Sequence, residues 1–462
     1  MDFKNKKILI AGMAKSGIAC AKVLYEMGAD ITIYDREQKD DFFDISSKLG
    51  EDIEYKFNID PVNLIDGMDY VILSPGISIN QDFAKKAKQN GTKVIGEIEL
   101  GYLLSKAPII CITGTNGKTT TTALTGAMVE NGFKDSERKA FVLGNIGTPI
   151  VEQAQQTTQK DIIIAEVAGF QLESTEQFRP ISCAFLNISQ DHLDRFFTME
   201  AYIASKTKMF DNQTDQDFAI LNLDDTIVSK MGDLTKANKL FFSTKQKVEN
   251  GAFVEGDNIY FSLEGDTVFI IAKDEIFIPG EHNVSNALAA ICLAKSIGIP
   301  DEAIRETLKT FQGVEHRIEG FFEFDGIKFI NDSKGTNPDS TIKAIEAMKA
   351  PTVLILGGSN KDSDYLPVFN AFNGIIKKVV ALGETRYQIL RDAKKANFKD
   401  IIICEGSFDE AVKTAIKLCE KGDNLLLSPA CASYDMFDNF EQRGKYFKEL
   451  VKKILVKGDR LE

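Results

Sequence analysis

Tryptophan is absent from the 462 residues, histidine occurs only three times, and none of the seven cysteines stands in a Cys-x-x-Cys pair. His192, His282 and His316 are far apart in sequence, which disfavours a multi-histidine zinc hydrolase. The cysteines fall mostly inside apolar runs, so they read as reduced structural thiols rather than a disulfide framework. Also missing is an apolar run of the ~18 residues that a spanning helix requires. Met1-Asp2-Phe3-Lys4 turns directly into a strand, without the apolar stretch of a secretory signal. A cytoplasmic chain with no membrane insertion is expected. Positive charge is in deficit too: 55 Lys and Arg against 68 Asp and Glu leave a net −13, a surface that repels a nucleic-acid backbone. No nucleic-acid partner is expected, while a small anion can still find a local positive pocket.

What is present is an ordinary globular mixture, 44% hydrophobic and 27% charged. At roughly 150 residues per domain the length suggests about three domains. Strand-like runs at 7–11, 31–34 and 70–73 alternate with a helical stretch at 16–27, the signature of a parallel sheet with crossover helices. A second cycle has strands at 108–113, 161–165, 184–188 and 219–223. Short strand-like pieces over 239–279 suggest a small antiparallel appendage, closed by a helix from 282 to 296. A third segment opens with a hairpin at Asp325-Gly326 and continues with strands at 352–356, 378–382, 401–404 and 424–427. The expectation is an α/β chain of three domains. These are a Rossmann-like domain over 1–104, a central phosphate-loop ATPase domain with the antiparallel appendage over 105–314, and a doubly wound Rossmann-like domain over 315–462.

Thr113-Gly114-Thr115-Asn116-Gly117-Lys118-Thr119-Thr120 lies between an apolar strand and a helix, where backbone N–H groups and the helix N-terminus can hold phosphate oxygens. Lys118 would reach the β and γ phosphates and Thr119 would bind Mg²⁺. Ile112 stands where the full motif has glycine, so the loop is a compact variant; the competing reading is a plain glycine turn. Near the N-terminus, Gly12-Met13-Ala14-Lys15-Ser16-Gly17, with Asp35 ending the next strand, superficially satisfies a dinucleotide fingerprint. Ala14 replaces its middle glycine and hinders close approach of a pyrophosphate, which favours a more loosely held nucleotide diphosphate, or an ordinary turn, over NAD.

Glu166 follows a strand, where phosphate-loop enzymes place a magnesium carboxylate; the competing reading is a carboxylate solvated at a strand end. Asp191-His192-Leu193-Asp194-Arg195 follows another. Lys206 and Lys208 share a helical stretch from Met199, and the pattern does not choose between them. Asn331-Asp332-Ser333-Lys334-Gly335-Thr336-Asn337 is either a site or an elaborate helix cap, with Asn337-Pro338 supplying cap and first helical residue. Gly357 to Lys361 and Ser428 to Ser433 leave strands at the edge where open α/β sheets bind ligands.

Gly114 to Thr119, Glu281-His282-Asn283 through Asn286, His316-Arg317 and Asn331 to Lys334 occur in the order seen in the Mur ligase family, which the chain resembles through all three segments. Ser428 to Asp435 and Asn439 to Gly444 are similar to the members that add D-glutamate, and the Asp-Asn-Pro-Arg element of the diaminopimelate- or lysine-adding members is missing. The resemblance implies a cytosolic, monomeric ligase of peptidoglycan precursor synthesis. It joins D-glutamate to UDP-N-acetylmuramoyl-L-alanine with ATP, through an acyl-phosphate and a tetrahedral intermediate.

It further implies catalytic roles for Lys118, Glu166, His192, Lys206 and Lys334. ATP would be bound by Gly114, Thr115, Asn116, Gly117, Lys118, Thr119 and Thr120 with Asn283, Asn286, Arg317, Asp332 and Lys334. Two Mg²⁺ would be held by Thr119, Glu166, His192 and a carbamate on Lys206. The UDP-sugar would meet Ser16, Asp35, Arg36, Gly76, Asn145, Gln171 and His192, and D-glutamate would meet Thr336, Lys361, Ser433, Tyr434 and Phe440. One departure stands out: Val167-Ala168-Gly169-Phe170-Gln171 lacks the pair of serines usual before Phe-Gln. The alternatives are another acid:amino-acid ligase, such as an L-alanine-adding or folylpolyglutamate synthase-like enzyme, and a non-catalytic nucleotide-dependent interaction protein.

Overall fold

The computed structural model describes residues 2–38, 46, 49–50, 52–145, 147–191, 193–359 and 363–456, with residues 193–194 described by backbone alone. Three sheets follow one another along the chain. The first comprises β1 (Lys7–Ala11), β2 (Asp30–Asp35), β3 (Glu54–Phe57), β4 (Tyr70–Leu73) and β5 (Lys93–Gly96), all parallel, in the order β3-β2-β1-β4-β5. Helices covering both faces explain why β1 and β4 are apolar runs without alternation.

The central sheet has nine strands: β6 (Ile109–Thr113), β7 (Ala140–Gly144), β8 (Ile162–Glu166), β9 (Ser182–Phe185), β10 (Phe218–Asn222), β11 (Asn238–Ser243), β12 (Gly251–Glu255), β13 (Asn258–Leu263) and β14 (Asp266–Ala272). Their order is β14-β13-β12-β11-β10-β9-β6-β8-β7. The pieces expected over 239–279 are continuous with this sheet. β11 joins β10 and β12 in parallel, and only β12, β13 and β14 run antiparallel. The helix Glu281–Ser296 is buried along most of its length.

The third sheet comprises β15 (Glu319–Phe324), β16 (Ile327–Asn331), β17 (Thr352–Gly357), β18 (Ile376–Leu382), β19 (Ile401–Ile403) and β20 (Asn424–Leu427), ordered β15-β16-β20-β17-β18-β19. Asp325 and Gly326, at φ 48° and 74°, form the left-handed pair that the hairpin turn needs. Every other pairing in this sheet is parallel.

Residues Met1–Phe277 and Asn283–Phe311 make one compact unit containing the first two sheets; Ile278–His282 and Gln312–Glu462 make another. Within the first unit, two buried carboxylates on the helix Glu97–Leu104 hold backbone of the central segment. Glu97 accepts the Val151 N–H at 2.9 Å. Glu99 accepts three successive N–H groups, of Glu176, Gln177 and Phe178, at 2.8–3.0 Å. Among the described residues no helix is long and apolar enough to cross a membrane.

Candidate active site

β6 delivers the chain into the loop Gly114–Gly117 and the helix Lys118–Gly132. Gly117 caps that helix at φ 84°, and a Cβ there would lie 2.4 Å from the Asn286 side-chain oxygen. Left-handed backbone and close approach together require glycine, and they place the Asn286 side chain against the phosphate loop. Asn286 donates to the Asn283 side chain at 3.2 Å.

The loop is held from beneath by the segment after β9. Asn187 accepts the Asn116 N–H on its side-chain oxygen at 2.9 Å and donates its amide to the Asn116 carbonyl at 3.0 Å. Its own carbonyl accepts the Thr115 N–H at 3.0 Å. The Thr115 hydroxyl donates to the Ser189 carbonyl and lies 3.3 Å from the Tyr202 hydroxyl. Asn187 and Tyr202 escaped the sequence reading. The available signal was position alone, since Asn187 leaves a parallel strand at the ligand-binding edge.

Two lysines converge on one carbonyl. Lys118 donates to the carbonyls of Gly114 and Thr115 at 2.9 and 2.7 Å. Lys206, 2% exposed, donates to the same Gly114 carbonyl at 2.9 Å, with its ammonium 4.7 Å from the centre of the Tyr202 ring. Burial, reinforced by the neighbouring Lys118 charge, holds the Lys206 amine far below the usual lysine range, with Asp191, Cys111 and Glu166 opposing. Lowering the pKa favours the uncharged amine, which is the nucleophilic form. The structure thus separates the two lysines that the pattern left equal: half-buried Lys208 donates to the carbonyls of Glu173 and Thr175 instead.

Glu166 ends β8, buried, with one oxygen accepting from Asn145 at 3.1 Å and the other without a hydrogen-bond partner among the described residues. A desolvated carboxylate oxygen suits a hard, oxygen-seeking cation, and Thr119 is buried at the start of the helix after the loop. Asn145, expected at the UDP-sugar, is thereby joined to the metal candidate. In the first sheet, Asp35 uses one carboxylate oxygen for the Met13 N–H, at 2.6 Å, and the other for the Arg36 N–H, fixing the loop after β1. Lys15 donates to the Gly147 carbonyl. Gln171 accepts the Ala168 N–H. Arg195 ties the Pro75 carbonyl, next to Gly76, to Glu173. Ser16 is half-buried at the start of the helix Lys15–Glu26.

The second unit gathers its own set. Asp332, fully buried, accepts from Ser428 at 2.7 Å and stands 3.6 Å from the Arg317 guanidinium; burial raises its pKa against the pull of Arg317. The Lys334 ammonium lies 4.7 Å from the Phe440 ring centre, bringing together residues expected at ATP and at D-glutamate. Arg443, whose role the sequence reading left unassigned, donates to Ser333, Ala432 and Cys431, locking the loop after β16 to the one after β20. Burial lowers its pKa to about 10. Ser433 is buried, Thr336 half-buried and Tyr434 exposed. Asn337 caps the helix Pro338–Glu346 as expected, accepting the Ser340 N–H. His192 and Lys361 lie outside the described residues.

One further cluster, Glu315, His316 and Glu319, has the composition of a metal site. The Lys448 ammonium sits 2.7 Å from both glutamates. Asn331, oriented by the Ser333 N–H on its oxygen, donates to His316 Nδ1, which leaves the proton on Nε2 facing Glu315. An ammonium between the carboxylates and an N–H in the ligand position make this a structural ion-pair cluster.

The strand, glycine loop and lysine beside an open carboxylate define a phosphate-loop α/β protein of the nucleotide-binding class. The chain matches models of the Mur ligase MurD-like N-terminal domain over residues 6–96, the Mur ligase middle domain over 112–294 and the Mur ligase glutamate ligase domain over 316–431. It is 44% identical over 453 residues to the UDP-N-acetylmuramoylalanine--D-glutamate ligase of Thermoanaerobacter sp. (strain X514), across 98% of this chain and 99% of that one. It is 42% identical over 454 residues to the protein of the same name from Clostridioides difficile (strain 630), with the same coverage. Solved structures of similar fold include the UDP-N-acetylmuramate-alanine ligase MurC of Thermotoga maritima, with a TM-score of 0.60 at 19% identity over 97% of this chain and 99% of that one. Another is the MurF ligase of Thermotoga maritima in complex with ADP, with a TM-score of 0.58 at 15% identity over 98% and 96%. The chain belongs to the Mur ligase family.

Proposed function

We propose that the protein is an ATP-dependent ligase that joins D-glutamate to UDP-N-acetylmuramoyl-L-alanine in the cytoplasm, acting as a monomer. The observation that carries this reading is the meeting of Lys118 and Lys206 on the Gly114 carbonyl, with the open oxygen of Glu166 at the same sheet edge. Near-full-length likeness to ligases of that name supports the substrates. Residues 1–104 would hold the UDP-sugar, 105–314 the ATP and 315–462 the amino acid.

A carboxylate is a poor acyl donor. The γ-phosphoryl group first passes to the alanyl carboxylate, ADP leaves, and the D-glutamate amine attacks the acyl-phosphate to form the amide and release phosphate. Lys118, turning from the loop carbonyls to the β/γ phosphates, and the backbone N–H groups of the loop offset the charge gathering on the transferred group. Thr119, Glu166, His192 and Lys206 would hold two Mg²⁺, which neutralise phosphate charge when bound. Lys206 can serve only after its neutral amine takes up CO₂ as a carbamate, because an ammonium repels the metal. Lys334, Arg317 and Asp332 with Asn283 and Asn286 would complete the nucleotide site. Ser433, Thr336, Lys361, Tyr434 and Phe440 would receive D-glutamate.

Phosphate release measured over a panel of amino acids and UDP-sugar acids tests the reading. D-glutamate with UDP-N-acetylmuramoyl-L-alanine should give the highest rate, and preference for L-alanine on the unsubstituted sugar acid or for a folate would replace it with a sister activity. ATP binding without release under any pair would leave the interaction-protein alternative. Lys206→Ala should lose at least ~100-fold in kcat and regain activity with bicarbonate or short carboxylic acids; an unimpaired variant would refute the carbamate.

A further inference from the structure

Gly169 opens the short helix Gly169–Leu172, three residues beyond Glu166, with backbone angles open to any L-residue. Space alone forbids a side chain: a Cβ at 169 would lie 2.4 Å from Ser205 Oγ and 3.2 Å from Lys206 Cγ. Ser205, buried in the helix Met199–Thr207, donates its hydroxyl to the Tyr202 carbonyl at 2.7 Å, so rotating it out of the way breaks that bond. The same helix presents Lys206 to the Gly114 carbonyl and Tyr202 to Thr115.

We infer that Gly169 and Ser205 form a size-matched pair: the missing side chain at 169 leaves the room that the Ser205 hydroxyl and the Lys206 stem occupy, so Gly169 is the residue that lets this helix present Lys206. The inference deepens, and rests on, the function proposed above. With no side chain at 169, the neighbouring helix closes against the bare Gly169 backbone. A side chain at 169 displaces the Ser205 hydroxyl or, where that hydroxyl keeps its bond to Tyr202, pushes back the helix and with it Lys206, whose Cγ lies 3.2 Å from the added Cβ. A misplacement of about 1 Å in such a site costs on the order of 100-fold in rate.

The test uses the full chain in four forms: wild type, Ser205→Ala, Gly169→Ala and the double variant. Phosphate release, the Mg²⁺ concentration for half-maximal rate, Mg²⁺-ADP affinity by calorimetry and Tm are followed. Gly169→Ala should lose at least ~10-fold in kcat and demand more Mg²⁺, with the KM for D-glutamate within about twofold, while Ser205→Ala stays within about threefold of wild type. The double variant should return to the level of Ser205→Ala, in ADP affinity as in rate. A harmless Gly169→Ala, equal damage with and without the Ser205 hydroxyl, or all KM values moving together would overturn the pairing. If Gly169→Ala is insoluble, recovery of soluble protein in the double variant supports the pair and continued insolubility overturns it. A wild type releasing no phosphate would sink the proposed function, while coupling of 169 to 205 in Tm and ADP affinity would still judge the pair.

Discussion

Asn187 holds both polar groups of the Asn116 backbone while its own carbonyl holds Thr115. The phosphate loop is therefore shaped before any ligand arrives, and less ordering is required on nucleotide binding. Asn187→Ala should raise the KM for ATP about tenfold, leave the KM for D-glutamate unchanged, and lower stability by about 1–2 kcal/mol, near the worth of two hydrogen bonds. Steady-state kinetics and chemical denaturation check these together. At this scale the sequence was informative where chemistry is local. Lys118 and Thr119 follow from the loop motif, and Asn337 from its proline neighbour. Asn187 and Tyr202 act across 71 and 87 residues, and no spacing pattern encodes such a partner. Lys206 is singled out from Lys208 by burial, which depends on the packing of a helix whose amphipathic pattern is weak.

The helix Glu97–Leu104 carries a titration of its own. Burial raises Glu97 from the ordinary carboxyl value of 4.5 to about 7, and one of its oxygens has no hydrogen-bond partner among the described residues. The folded state thus binds the proton more tightly than the unfolded chain, so stability is highest below about pH 4.5 as far as this group is concerned and falls as pH rises to about 7. The loss attributable to Glu97 is at most about 3 kcal/mol. In Glu97→Gln, the drop in denaturation free energy between pH 5 and 8 should shrink by about that amount. An unchanged pH slope would show that the carboxylate ionises without cost. Other elements were more legible. The Asp325-Gly326 hairpin and the four strands after it lie where turn chemistry and apolar runs put them, within a few residues. The pieces from 239 to 279 carry strand patterning in the sequence, but their union with the central sheet, through parallel rather than antiparallel pairs at β11, is a long-range pairing with no local signature.

Over the whole molecule, three parallel-type sheets follow from the alternation of strand and helix, whereas the joining of the first two in one compact unit does not. That joining includes Glu97 and Glu99, which read locally as ordinary first-turn carboxylates of a helix. Residues 1–104 alone would leave both carboxylates without the N–H groups they serve and should melt without a cooperative transition, while residues 1–311 should unfold in one step by calorimetry.

Any attempt to exchange the N-terminal segment for that of a relative meets the same constraint. Three consecutive amides of residues 176–178 converge on a single acidic side chain, so a graft cut at residue 104 changes one half of this lock and keeps the other. A recombinant enzyme will assemble soundly only when the incoming helix brings an acid at the place of Glu99, or when the 176–178 corner travels with it.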